Sequence, residues 1–312
     1  MRSMKLPSTV LVTAALVASS GAAFAQAAGA TATGSATIPK ETVKANTATK
    51  GKTDVATGGF AASAKPEDDA KSAEDLSIAA GGLFTSGNAR TVAITSLVKG
   101  RIRRDEHQFS AAGAINFARA GKRGETVDTT VENYQGLLRY DYFFSDRVSV
   151  FLQSTARRDR FQGLDLRLNV DPGLAYYFIN TKQQRLQAEA GYDLQHDIRR
   201  DADLVIPPPD GSPAGTPPTV VDKTKTLHNA RLFLGYENKL YEQVSFVTSL
   251  EYLQAFEDIG TYRLIFDAGL KTNIAEKFAV ATTYTMRFEN KPLPGLEKAD
   301  SIASVNLVYT LF

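Results

Sequence analysis

The chain has 312 residues with no cysteine, no tryptophan, three histidines and 23 glycines, and 22% of its residues are charged. The missing cysteine excludes disulfide scaffolds, thiol nucleophiles, Cys-ligated zinc or iron–sulfur centres and lipidated cysteines. The formal net charge of +2 arises in the first 25 residues; from residue 75 onward acids and bases balance, so the basic surplus of a nucleic-acid binder is missing.

Arg2 and Lys5 open a short basic region ahead of the apolar run 6–18 and the small residues 19–25, and Ala23-Phe24-Ala25 fits a cleavage site. The pattern predicts a signal peptide over 1–25, cleaved near Ala25, and hence an exported protein. Outside the N-terminus no apolar run of eighteen or more residues exists, which excludes a helical membrane bundle. Residues 26–74 are mostly Ala, Thr, Gly, Ser and Lys. Such a segment cannot bury enough apolar surface to offset chain entropy, so a disordered periplasmic linker is expected; an envelope-binding tail is the competing reading.

From residue 75 the dominant period becomes two. In 186–198, Leu186, Ala188, Ala190, Tyr192 and Leu194 alternate with Gln187, Glu189, Asp193, Gln195 and Asp197. A strand with two opposed environments has this alternation, and a helix does not. Twelve such strands are predicted, near 75–86, 88–103, 106–119, 127–143, 147–160, 164–179, 184–199, 225–238, 242–257, 260–274, 277–289 and 300–312. Most reach the ten or so residues that a tilted strand needs to cross a bilayer. Every second connection is tight (104–105, 144–146, 180–183, 239–241, 275–276), while the long ones, led by proline-rich 200–224, fall between them. The expectation is an all-β fold: a transmembrane, antiparallel, up-and-down barrel of about 12 strands over 75–312, with the tight turns and both termini in the periplasm. On that topology Tyr142, Tyr176, Phe178, Tyr236, Phe246, Phe278 and Tyr309 fall near the periplasmic rim. Phe84, Phe117, Phe256, Tyr262 and Phe288 fall near the external one, giving two aromatic girdles against outer-membrane lipid.

Four segments also resemble a known family: Gly82-Leu83-Phe84-Thr85-Ser86-Gly87-Asn88, Glu132-Asn133-Tyr134, 139–147 (Arg-Tyr-Asp-Tyr-Phe-Phe-Ser-Asp-Arg) and 159–167 (Asp-Arg-Phe-Gln-Gly-Leu-Asp-Leu-Arg). They are similar to the salt-induced outer-membrane protein family of Gram-negative bacteria, a barrel domain of unknown function, and the resemblance covers about 75–312. It implies location and fold and no defined activity. Pro172 departs from the family pattern and predicts a bulge in the sixth strand. Phe312 resembles the signal read by the outer-membrane assembly machinery, although the apolar phase of the last strand is Leu307, Tyr309 and Leu311.

Candidate chemistry lies in the lumen. The inward phase carries Arg139, Arg157, Arg167, Arg231, Arg263 and Arg287 against Asp165, Asp193, Asp197, Glu251, Asp267 and Glu289. Guanidinium and carboxylate groups in a narrow barrel are expected to pair, often bidentately, and constrict it; separately solvated charges are the alternative. His196 and His228 lie in the outward phase, flanked two residues away by Leu194 and Ile198, and by Thr226 and Ala230. Asp197 and Asn229 point inward and no G-x-S-x-G occurs, so a lipid hydrolase is the weakest reading and no enzyme is expected. Two histidines lack a third ligand, and neither metal nor cofactor is expected. The readings that remain are a small or constricted passive channel (its solute unnamed) or envelope-stress barrel, a structural barrel with a filled lumen, and a receptor or adhesin acting through loop 200–224.

Overall fold

The structure, a computed structural model, describes residues 72–311 apart from 87–88, 123, 125, 182, 209–211, 214 and 293–296. The expected signal peptide, almost all of segment 26–74 and Phe312 lie outside the described residues.

In chain order the strands are β1 (Ser72–Thr85), β2 (Ala89–Arg104), β3 (His107–Lys122), β4 (Asp128–Ser145), β5 (Val148–Asp159), β6 (Leu164–Asn180), β7 (Gln184–Arg199), β8 (Val205–Ile206), β9 (Thr219–Val220), β10 (Thr224–Tyr241), β11 (Val244–Ala255), β12 (Tyr262–Asn273), β13 (Phe278–Glu289) and β14 (Ala299–Thr310). Twelve of them form a closed antiparallel barrel, each paired with its neighbours in sequence. The short β8 and β9 pair only with each other, inside the long loop between β7 and β10. That ribbon flanks the prolines without including them, because a proline donates nothing to a ladder.

Tight turns gather at one end of the barrel, here the turn end, with Ser72 and Leu311. The 3-10 turn Arg160–Gln162 and the loops 200–223, 256–261 and 290–298 gather at the other, the loop end. One turn moves from its expected place: β10 continues to Tyr241 through a bulge at Lys239, so the chain reverses at 242–243. Pro172 is a second correction. The β6–β7 ladder passes from Val170 to Gly173 without changing register, and the bulges of β6 lie at Leu164/Leu166 and Tyr177/Ile179. Pro172 takes an outward position opposite Leu152, where the missing N–H interrupts pairing toward β7 without shifting the strand.

The period of two separates the faces as the sequence implies. On β10 and β11, Leu234 and Leu250 are 48% and 43% exposed, whereas Phe233 and Ser249 are 5% and 3% exposed. Outward Leu138, Leu152, Leu174 and Leu232 continue the apolar belt around the wall. Closure is uneven. β1 pairs with β2 along its whole length but with β14 only from Ser77 to Ala80.

Candidate functional site

The interior is bridged by a chain of buried charges. Arg139 on β4 donates from Nε to both oxygens of Asp141 at 3.0 Å and from Nη2 to Oδ1 at 2.7 Å. Its Nη1 reaches Glu189 on β7 at 2.8 Å. The second oxygen of Glu189 accepts from Arg231 Nη1 at 2.8 Å, and Arg231 Nε donates to Glu251 on β11 at 2.6 Å. β4 and β7 are separated in the wall by β5 and β6, so the Arg139–Glu189 pair spans a chord of the lumen. Beneath that chord Phe143, Phe151, Ala175 and Tyr177 form an apolar cluster. The guanidiniums of Arg139 and Arg231 lie 4.1 and 5.5 Å from the centre of the Phe151 ring, a favourable cation–π arrangement. Room for that ring comes from Gly173, where a Cβ would stand 2.5 Å from Phe151 Cζ.

Toward the loop end a second set closes around Asp159, which is fully buried. Its Oδ1 caps the 3-10 turn by accepting from the backbone N–H groups of Phe161 and Gln162 at 3.1 and 3.2 Å. Its Oδ2 accepts from Asn133 at 3.0 Å and Arg157 at 2.6 Å. Gly163 ends the turn at φ +66°, a left-handed conformation that glycine adopts without strain. Arg167 binds Asp197 bidentately, both distances 2.7 Å. Two of the segments that carry the family resemblance therefore meet inside the barrel, through Asn133 and Asp159, and Arg139, Asp141 and Arg167 from such segments are buried there as well.

Not every expected pairing forms. Asp193 is held by the amides of Asn169 and Asn229, both at 2.6 Å, rather than by arginine. Asp165 leaves the lumen at the β6 bulge and meets Lys223 at 3.6 Å in the loop region. Asp267 accepts from the hydroxyl of Thr285, and Arg287 is buried nearby on β13. Arg263 and Glu289 are register partners, yet no ion pair joins them, because Arg263 extends into a void of ≈ 30 Å³ with Arg157, Asp193 and Glu251. That void has room for about two waters.

The charges of these two sets that the sequence reading missed are Asp141, Asp159 and Glu189. The first two sit two residues from Arg139 and Arg157, hence on the same face of one strand, and that spacing was a usable signal. Glu189 reaches across the lumen, and no local pattern announces it.

The other side of the interior is open. A cavity of ≈ 350 Å³ extends from mid-barrel to the turn end along β1, β2 and β10 to β14. Its wall there is built from small inward residues such as Ser77, Ala79, Gly269, Ala281 and Thr283, with Lys99, Lys239 and Lys271 among them.

On the outer face the aromatics form ring pairs at both ends. Tyr142–Phe144, Tyr176–Phe178 and Phe278–Tyr309 approach within 5.1, 4.9 and 4.9 Å at the turn end. Tyr262–Phe288 and Tyr192–Phe256 lie 5.8 and 6.3 Å apart near the loop end. Phe84 stands exposed on β1, and Tyr236 and Phe117 occupy partly covered outward positions on β10 and β3. His196 Nδ1 meets the hydroxyl of Thr226 at 2.8 Å, a contact the sequence reading did not identify, and His228 meets the hydroxyl of Tyr192. No carboxylate or amide orients His196 among the described residues, so the third member of a nucleophilic arrangement is missing there.

The structure is similar to the NanC porin, with 10% identity, coverage of 75% of this chain and 97% of that one, and a TM-score of 0.41. It is also similar to the β domain of the Bordetella autotransporter BrkA (12%, 77% and 99%, 0.36) and to the translocator domain of NalP from Neisseria meningitidis (10%, 76% and 86%, 0.37). No curated protein matches the sequence. Residues 78–311 match the family described as "Protein of unknown function, DUF481", and the chain belongs to that family.

Proposed function

We propose that the protein is an integral outer-membrane barrel whose lumen is a small, constricted conduit for hydrophilic solutes. One observation carries this reading: the buried bridge Asp141–Arg139–Glu189–Arg231–Glu251 stands beside an open cavity of ≈ 350 Å³. A wide pore has no such bridge, and a fully packed interior has no such cavity. The outward belt of exposed leucines with ring pairs at both ends supports bilayer insertion, as such bands mark the lipid-facing wall of a barrel. With the leader at 1–25 removed, the turn end faces the periplasm and the C-terminal strand ending in Phe312 is handed to the assembly machinery. No catalytic step belongs to this reading.

Planar-bilayer recording of refolded protein tests it. Wild type should show a small, weakly selective conductance. Arg139→Ala/Arg231→Ala should enlarge it and tilt selectivity toward cations, since Glu189, Glu251 and Asp141 lose their partners. A large conductance unchanged by that double substitution would sink the proposal. A filled structural barrel is the second reading, favoured by the ≈ 30 Å³ left in the loop half; it requires silence from both proteins.

A further inference from the structure

We propose that the ≈ 350 Å³ cavity is a binding site for small organic carboxylates. The proposal rests on the conduit reading and names the solute class that the conduit favours. Lys99 from β2, Lys239 from β10 and Lys271 from β12 converge on the cavity. Arg101 also lines it, with its charge matched by Asp75, which accepts from Nε at 2.9 Å. Against the three lysines stand Glu237, which is buried, and Glu242, which is exposed at the turn. Lys99 and Lys271 line the same cavity, and an anion held between two like charges lowers their mutual repulsion.

Two further guanidiniums stand at the turn end, outside the cavity lining. Arg103 lies over the Phe143 ring at 4.2 Å and Arg185 over Tyr177 at 5.9 Å.

The rest of the lining selects an organic rather than an inorganic anion. Leu97, Val247 and Val308 offer an apolar wall, and Ser77, Thr283 and Asn306 offer hydrogen-bonding groups. Apolar walls with a few converging polar groups are the usual constitution of a small-molecule site, and the volume lies in the usual range.

Equilibrium dialysis of radiolabelled succinate against full-length protein in detergent tests the site, with neutral succinamide as competitor. Saturable binding is expected, at least tenfold weaker in Lys99→Met/Lys271→Met. Lys291→Ala should bind as wild type, because that lysine pairs with Asp258 in the loops. Succinamide should fail to displace succinate, a comparison that needs no variant to fold. Absence of saturable binding would overturn the proposal. So would equal binding by a double Met variant that keeps heat-modifiable migration, or displacement by succinamide. Occupancy is read without current, so the two readings separate. Protein that binds succinate but never conducts keeps the site and loses the conduit; protein that conducts without saturable binding loses the site alone.

Discussion

The two walls of the lumen differ in what their inward positions carry. From β4 to β7 these positions hold Arg139, Phe143, Phe151, Arg157, Arg167 and Tyr177, and the interior beside them is filled by rings and ion pairs. From β12 round to β2, in the half toward the turn end, they hold Gly269, Ala281, Thr283, Ser77 and Ala79, and the interior beside these is open. Strand count alone did not decide where the barrel is open. Side-chain volume on one face did. Charge follows part of the same division: a chain of arginine–carboxylate pairs reaches across from the packed half, and three lysines line the cavity of the open one beside the Arg101–Asp75 pair.

The largest effect should come from breaking the packed wall's bridge. Arg231→Ala leaves Glu189 and Glu251 buried with fewer donors, and losing one partner of a buried pair costs about 3–5 kcal/mol. Arg263→Ala strands no bonded carboxylate and should cost about 1 kcal/mol or less. Urea midpoints in lipid vesicles would show the difference, and equal losses would mean the bridge is not special.

Next comes the cost of a new charge. Arginine at outward Leu234 or Leu250 should cost about 2–4 kcal/mol at mid-bilayer. Inward phase alone would make Phe233 and Ser249 tolerant, but both are buried in packed surroundings. The tolerant inward site is Ala281, which faces the cavity. Ala281→Arg should cost clearly less than Leu234→Arg, and Ser249→Arg should not; the reverse order would erase the distinction between the walls.

Two glycines probe the packed wall itself on a smaller scale. At Gly191 on β7 a Cβ would stand 2.5 Å from the carbonyl oxygen of Pro172, whereas at Gly136 on β4 nothing lies within 4 Å. Gly191→Ala should cost about 1–3 kcal/mol, the usual range for overpacking, while Gly136→Ala should be nearly neutral in the same assay.

The smallest effect lies outside both walls. In loop 256–261 the carboxylate of Asp258 accepts hydrogen bonds from Lys291, Thr261 and the Gly260 N–H, which hold its pKa down to about 2. A depressed carboxylate pKa stabilises above the unfolded value and is lost as pH falls through the folded one. Backbone NMR shifts of 258–261 should therefore stay constant from neutral pH into the range of an ordinary aspartate and move only near pH 2. Movement centred near pH 4 would show that the contacts do not persist in solution.

Much of this was legible in the sequence. The alternation at 186–198 fixed which side of β7 faces inward, and tight turns against long loops gave the order of the strands. Arg167–Asp197 was readable because neighbouring strands hold both residues in the same phase. Glu189 was not, since its partner Arg139 lies across a chord whose length depends on how the sheet curls, a property of closure rather than of any segment. Arg263 and Glu289 failed in the opposite sense. Adjacency on paired strands supplied proximity, and the void beside Arg263 gave its side chain somewhere else to go.

The short seam from Ser77 to Ala80 against Leu307 to Thr310 bears on how the molecule is made. Every other neighbouring pair in the wall is joined by its own connection and can zip locally. The seam joins residues more than two hundred positions apart, and closing a loop roughly tenfold longer than a hairpin adds about 2 kcal/mol of entropic cost. Few ladder bonds offset it. Its amides should be the last to gain protection during assembly and the first to exchange afterwards, and because Ala79 and Val308 also line the cavity, the chamber takes its final shape only when the circle closes.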